Sequence, residues 1–134
     1  MAKYSGSQLY LKFASTVLSG EYRTLTVSET QNVADASAGD DTGTTRVSTL
    51  TDATFTVEMV ALAGTAGTAI WGAVDPGAQG TLEWGPEGTA TTKPKYTQYV
   101  IVAGRDQNIV YNDVVTWSIT FNSNDQNKIV QSAY

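Results

Sequence analysis

The chain reads as mainly β, a β-sandwich or barrel with one short flanking α-helix and a long extended hairpin loop. Three observations predict this. Strict two-residue alternation recurs in "QLYLKF", "ATFTVEMVAL" and "VVTWSITF", the period of a half-buried strand. The composition leans on Thr, Val, Tyr and Gly, with only 16% charged residues against 41% hydrophobic ones, which suits pleated surfaces better than long helices. Only one stretch carries a helical period. At 134 residues the chain fits a single domain, 1–134.

In order along the chain, "QLYLKF" places Leu9, Leu11 and Phe13 on one face and Gln8, Tyr10 and Lys12 on the other. "EYRTLTV" repeats the device with Leu25 and Val27 inward, and the two segments are expected to pair as a hairpin through "STVLSG". After Val27 the alternation dissolves until about Thr51. Structureless loops beyond roughly 12–15 residues are uncommon in compact domains unless they are functional. "ATFTVEMVAL" then resumes the pattern, with Phe55, Val57 and Met59 against Thr54, Thr56 and Glu58. Ala66, Ala69, Ile70, Ala73 and Val74 follow at helical spacing, and Pro76 and Gly77 end that helix. "GTLEWGPEG" is a short strand running into a turn, and "YTQYVIVAG" a longer strand. "NIVYNDVVTWSITFN" turns near Asn112 and Asp113 and places Val115, Trp117, Ile119 and Phe121 on one face. The tail "SNDQNKIVQSAY" reads as a frayed end or as an arm over 122–134 that docks elsewhere.

Composition removes several classes of chemistry. Without His there is no Ser/His/Asp triad and no His-ligated zinc site, and without Cys there is no thiolate. The net charge of −5 repels a polyanion, and the eight Lys and Arg stand singly. Read as a calcium loop, "DASAGDDTGTTR" opens with Asp35 and Ser37 at positions 1 and 3. It then puts Asp40 where the glycine belongs and Arg46 where the bidentate Glu belongs. No metal or other cofactor is expected. Glu58, Glu83, Glu87, Asp75 and Asp106 supply carboxylates for a glycosidase, but no spacing marks two of them as a pair. A carbohydrate-binding module or a capsid decoration protein is the alternative, with Trp84, Tyr96 and Tyr99 as an exposed platform. No run of about 18 apolar residues is present, and "MAKYSGSQ" lacks the apolar core of a signal peptide, so a soluble chain folded in a cytoplasm is expected, with no membrane partner.

The order of elements resembles the tail tube (major tail) proteins of long-tailed bacteriophages. The resemblance rests on "QLYLKF", on the segment from Asp35 through "TLTDATFTVEM", and on "TLEWGPEGT" and "DVVTWSITF". It implies a non-enzymatic virion protein that stacks as hexameric rings into a hollow tail tube. Its partners would be copies of itself and other tail proteins, with DNA passing through without specific binding. The resemblance also implies assembly in the bacterial host cytoplasm. Residues 28–52 would then be an assembly loop reaching an adjacent ring, loose until rings stack, with Asp35, Ser37, Asp40, Asp41, Thr42 and Arg46 at the inter-subunit contact.

Overall fold

A computed structural model describes residues 3, 5–40, 42–124 and 129–134. A 3-10 turn, Gly6–Gln8, leads into β1 (Tyr10–Phe13), β2 (Thr16–Val17), β3 (Tyr22–Asp35), β4 (Arg46–Val60), α1 (Gly64–Ala73), β5 (Gln79–Gly85), β6 (Pro94–Asn108), β7 (Thr116–Ser123) and β8 (Val130–Ala133). The strands form one antiparallel sheet in the order β2-β1-β5-β6-β7-β4-β3, with β8 added to β6.

That sheet curls until its inner face packs on itself. Phe13 of β1 lies 5.0 Å, centroid to centroid, from Phe121 of β7, and Phe55 of β4 lies 5.1 Å from Trp84 of β5. Each pair joins strands separated by two others, a span of about 14 Å in a flat sheet. β6 makes the bend. Its first part pairs with β5 and its second with β7, and the register slips between Val102 and Gly104, where an extra residue bends and twists the strand. The resulting core is built by the inward positions that the alternation marks: Leu11, Phe13, Phe55, Val57, Met59, Trp117, Ile119 and Phe121 are all buried. Leu82, Trp84, Val100 and Val102 fill it from β5 and β6.

The two ends of the sheet do not meet in a backbone ladder. Among the described residues β3 pairs with β4 alone, and β1 pairs with β2 and β5. The hairpin expected between "QLYLKF" and "EYRTLTV" is therefore not formed. The intervening segment turns back as β2 and buries Leu18 instead, which leaves β3 to reach the opposite margin of the sheet. Across the remaining seam the Tyr22 hydroxyl donates to the Gly6 carbonyl, and Leu9, Tyr22, Leu25, Val27, Trp84 and Pro86 line a groove of about 420 Å³.

α1 seats on the core through a different face from the one its apolar spacing implies. Gly67 and the C-cap Val74 are buried, Ile70 and Trp71 half-buried, while Ala66 and Ala69 are exposed. Close approach decides this: a Cβ on Gly67 would fall 1.8 Å from the Leu62 carbonyl oxygen, so the backbone itself lies against the preceding segment. Trp71 then packs at 5.0 Å, tilted, against Trp117, and Arg105 lies 4.0 Å over the Trp71 ring while pairing with Asp75 at 2.7 Å.

The C-terminal residues dock on their own chain. β8 adds to the margin of β6 at Pro94–Thr97, and Tyr134 exchanges backbone hydrogen bonds with Thr92 and Lys93. Its ring packs edge-on to Tyr10, its hydroxyl donates to Glu83, and a Cβ on Gly85 would fall 2.7 Å from it. The expected arm over 122–134 is thus split. Residues 122–123 end β7, residues 125–128 lie outside the described residues, and 130–134 form a latch on the body.

Candidate functional site

The segment without alternation is neither loop nor core. β3 and β4 continue as a two-stranded ladder from Ser28↔Thr54 out to Asp35↔Arg46, well past the last pairing of β4 with β7 at Thr54↔Asn122. Beyond that point no described residue adds a third strand, although Ala53 is still buried and the Ser123 hydroxyl donates to Asp52 and accepts the Ala53 N–H. From Asp52 to Arg46, at about 3.3 Å per residue, the ribbon extends roughly 20 Å from the body. The ladder survives here because its pairs are Thr-rich and β-branched, such as Thr30↔Asp52, Gln31↔Thr51 and Val33↔Ser48. Alternation is lost because it reports a buried face, and beyond Thr51, which is half-buried, the ribbon residues with a described burial are exposed on both faces. The loop expected over 28–52 therefore shrinks to the connection 36–45 at the ribbon's tip.

A bulge divides the ribbon. Between Gln31↔Thr51 and Val33↔Ser48, β4 carries one more residue than β3, and the Gln31 side-chain amide donates to the Asn32 and Leu50 carbonyls across it. Leu50 stands there 72% exposed, and Val33 and Val47 beyond it are also exposed.

Of the six sequence-predicted contact residues, Asp35 and Arg46 face each other as the last register pair of the ladder. The Asp35 carboxylate accepts the Ser37 backbone N–H at 2.9 Å, and the Thr45 N–H donates to the Ser37 hydroxyl oxygen at 2.8 Å. Those bonds from Ser37, backbone first and then hydroxyl, hold the Asp35 carboxyl below its ordinary 3.8. Together they close the tip and keep Asp35 ionised. Asp40 and Thr42 lie exposed on the connection. Asp41 lies outside the described residues. The structure brings Asp35, Ser37 and Arg46 together and leaves Asp40 and Thr42 separate from that cluster.

The candidates for other chemistry fare differently. Trp84 is 6% exposed and stacks at 5.6 Å on Tyr96, so the aromatic platform of a carbohydrate-binding surface does not form; the ring closes the core beside the seam groove. Glu83 is engaged by Lys95 at 3.7 Å and by Tyr134, and Glu87 by Lys93 at 3.8 Å. Among the described residues no group of three metal-ligating side chains converges.

Sequence reasoning missed two surfaces. One is the outer margin of β3, a 14-residue strand whose edge no described residue pairs. An open edge this long is a template for another strand. The other is the connection between β6 and β7, where Ile109, Val110, Tyr111 and Val114 are all exposed on a turn closed by Asp113 N–H to Val110 carbonyl. Turns favour polar and small residues, so four apolar residues there were a readable signal.

No protein-family model and no curated protein matches the chain. Solved structures do. The tail of a gene transfer agent particle with C6 symmetry aligns over 98% of this chain and 99% of its own, with TM-score 0.73 and 11% identity. The SPP1 tail tube aligns over 98% of this chain and 80% of its own, with TM-score 0.78 and 12% identity. This is a tail-tube fold. A sheath–tube complex of an extracellular contractile injection system, in the extended state, shares it with TM-score 0.71 and 8% identity, over 98% and 93% of the two chains. At identities of 8–12% the likeness carries over the architecture alone.

Proposed function

We propose that the chain is a structural virion protein that polymerises as stacked hexameric rings into a hollow tail tube. The observation that carries this reading is the ribbon. A two-stranded ribbon is marginal by itself in water, yet this chain extends one about 20 Å beyond its core, and no described residue outside the ribbon pairs with it there. A neighbouring copy supplies the missing surface. The tail-tube fold and the C6 symmetry of one structural neighbour support the same assembly. Within a ring, open strand margins such as that of β3 pair with the next copy, and closure removes edges that a lone sheet would expose. Between rings, Asp35, Ser37, Asp40, Asp41, Thr42 and Arg46 at the ribbon's end reach the adjacent ring.

The tube performs no covalent chemistry and needs no cofactor. It is completed by other tail proteins in the host cytoplasm and conducts DNA without specific binding. The charge balance supports this conduit role, since a wall that gathered phosphates would retard passage and make it depend on salt. Negative-stain microscopy of the concentrated protein tests the proposal. Hollow filaments of uniform width with six-fold end views are expected. A chain that stays monodisperse at every concentration refutes it.

A further inference from the structure

The register places the two exposed apolar patches at opposite ends of the molecule. β4 leaves its pairing with β7 at Thr54↔Asn122 to enter the ribbon, and ends that pairing at Val60↔Thr116, beside the β6–β7 turn. Ribbon and turn therefore project in opposite directions from one strand pair, separated by about 20 Å of sheet. On the ribbon Leu50 is 72% exposed, with Val33 and Val47 exposed just beyond it on adjacent rungs and hence on opposite faces; on the turn Tyr111 is 99% and Ile109 70% exposed. Among the described residues nothing covers either patch.

We infer that the exposed apolar patch of the ribbon at Leu50 docks on the Ile109–Tyr111 turn of a second copy in the next ring. This rests on the tube reading and gives its ring-to-ring contact a chemistry. Two different patches at opposite ends of a subunit make a heterologous contact, which a translated copy satisfies and which propagates without closing. Charge points to the second copy through the apolar groups rather than through ion pairs. The segment 28–53 carries Glu29, Asp35, Asp40, Asp41 and Asp52 against Arg46 alone. The turn is flanked by Asp106 and Asp113, and the cation nearest it in sequence, Arg105, is already engaged by Asp75. Ionic forces between these ends are repulsive, so burial must supply the attraction.

Size leads to the same partner. A ribbon roughly 20 Å by 10 Å offers about 200 Å² per face, well short of the ~800 Å² per partner of a stable pairwise interface. One such contact does not hold two free molecules together. Repeated around a ring whose copies are already joined, it acts with a high effective concentration and holds. The dock is built for rings.

The test uses the absence of cysteine from the chain. Leu50→Cys and Tyr111→Cys are combined in one chain, assembled and oxidised. Disulfide-linked multimers climbing as a ladder on a non-reducing gel are expected, with each single variant giving at most a dimer. Tubes without a ladder overturn the dock while leaving the tube intact. Tyr111→Asp, on a side chain that touches no core residue, is expected to keep the wild-type melting curve and to yield rings or monomers but no tubes. Tyr111→Asp tubes as abundant as those of the wild type also overturn the dock. Failure of the wild-type chain itself to form tubes is a separate result that refutes the tube reading and the dock with it. Added salt is expected to promote tubes by screening the acids, and dissolution of tubes by salt overturns the apolar assignment.

Discussion

Removing the ribbon separates folding from assembly. Replacing residues 31–51 with Asn-Gly joins Thr30 directly to Asp52, its register partner, through a two-residue hairpin turn. Almost nothing buried is lost, since Thr51 is half-buried and the rest with described burial are exposed. The hydrogen bonds removed run within the ribbon, whose net stability alone is near zero. Loop closure changes in the other direction. Shortening a connection of about 21 residues to 2 recovers (3/2)RT ln of their ratio, about 2 kcal/mol as an upper figure for so short a turn. The truncated chain is therefore expected to unfold between 0 and about 2 kcal/mol more stably than the full one. That corresponds to a melting temperature unchanged or raised by up to roughly 8 °C in a domain of this size. Thermal melts by circular dichroism read the stability, and negative stain reads the loss of tubes. A fall in melting temperature of more than about 8 °C would mean that the ribbon belongs to the cooperative core, and truncated chains that still build tubes would remove it from the ring-to-ring contact.

Three further outcomes follow from the packing. Phe55→Ala empties a fully buried position against Trp84 and is expected to cost about 3–5 kcal/mol in chemical denaturation, enough to unfold a marginal domain. Arg105→Ala removes the cation over Trp71 and the hydrogen bond to the Trp71 carbonyl. A loss of about 1–2 kcal/mol is expected, with little from the Asp75 pair because that carboxylate is mostly solvated, and Arg105→Lys recovers only part. Burial and then the neighbouring Glu83 charge push the Tyr134 phenol up to about 12 from 10.0. In that window the unfolded chain binds fewer protons than the folded one, so stability is full below pH 10 and falls between 10 and 12. Tyr134→Phe should flatten this alkaline slope, read from melts at stepped pH.

What the sequence disclosed, it disclosed through burial. Wherever one strand face meets the core, as in Phe55-Val57-Met59 and Trp117-Ile119-Phe121, period two stands out and the elements are legible. Residues 28–35 and 130–133 are strands exposed on both faces, so they carry no such period, and they were read as a loop and a loose arm. The helix misled for a related reason. Ala66 and Ala69 match the apolar spacing, but alanine costs little to expose, and the close approach at Gly67 sets the orientation. The pairing of β1 with β5 lay out of reach because each strand's alternation says which face is inward and nothing about which neighbour it joins. At the candidate site the acids of the tip were visible as composition. The apolar residues of the turn were readable too, but the ladder behind the tip, and the placement of that turn at the opposite end from it, depend on register, which only the folded chain displays.

The core of this protein is filled entirely by its own side chains, from Leu11 on β1 to Phe121 on β7, while its unpaired strand margin and both projecting ends lie outside that core. Folding is therefore expected to need no partner, and such a chain to accumulate as folded monomer. What holds it back from uncontrolled growth is its own charge, −5 per copy with acids concentrated on the ribbon, so that each new contact must overcome repulsion from copies already present. A small apolar dock and one open edge are each too weak to do so alone, yet a ring engages all of them together. Weak contacts, like charge and an independent core thus combine into a chain that is stable as a monomer and joins only a ring already formed, which makes initiation, rather than elongation, the slow step of the proposed tube.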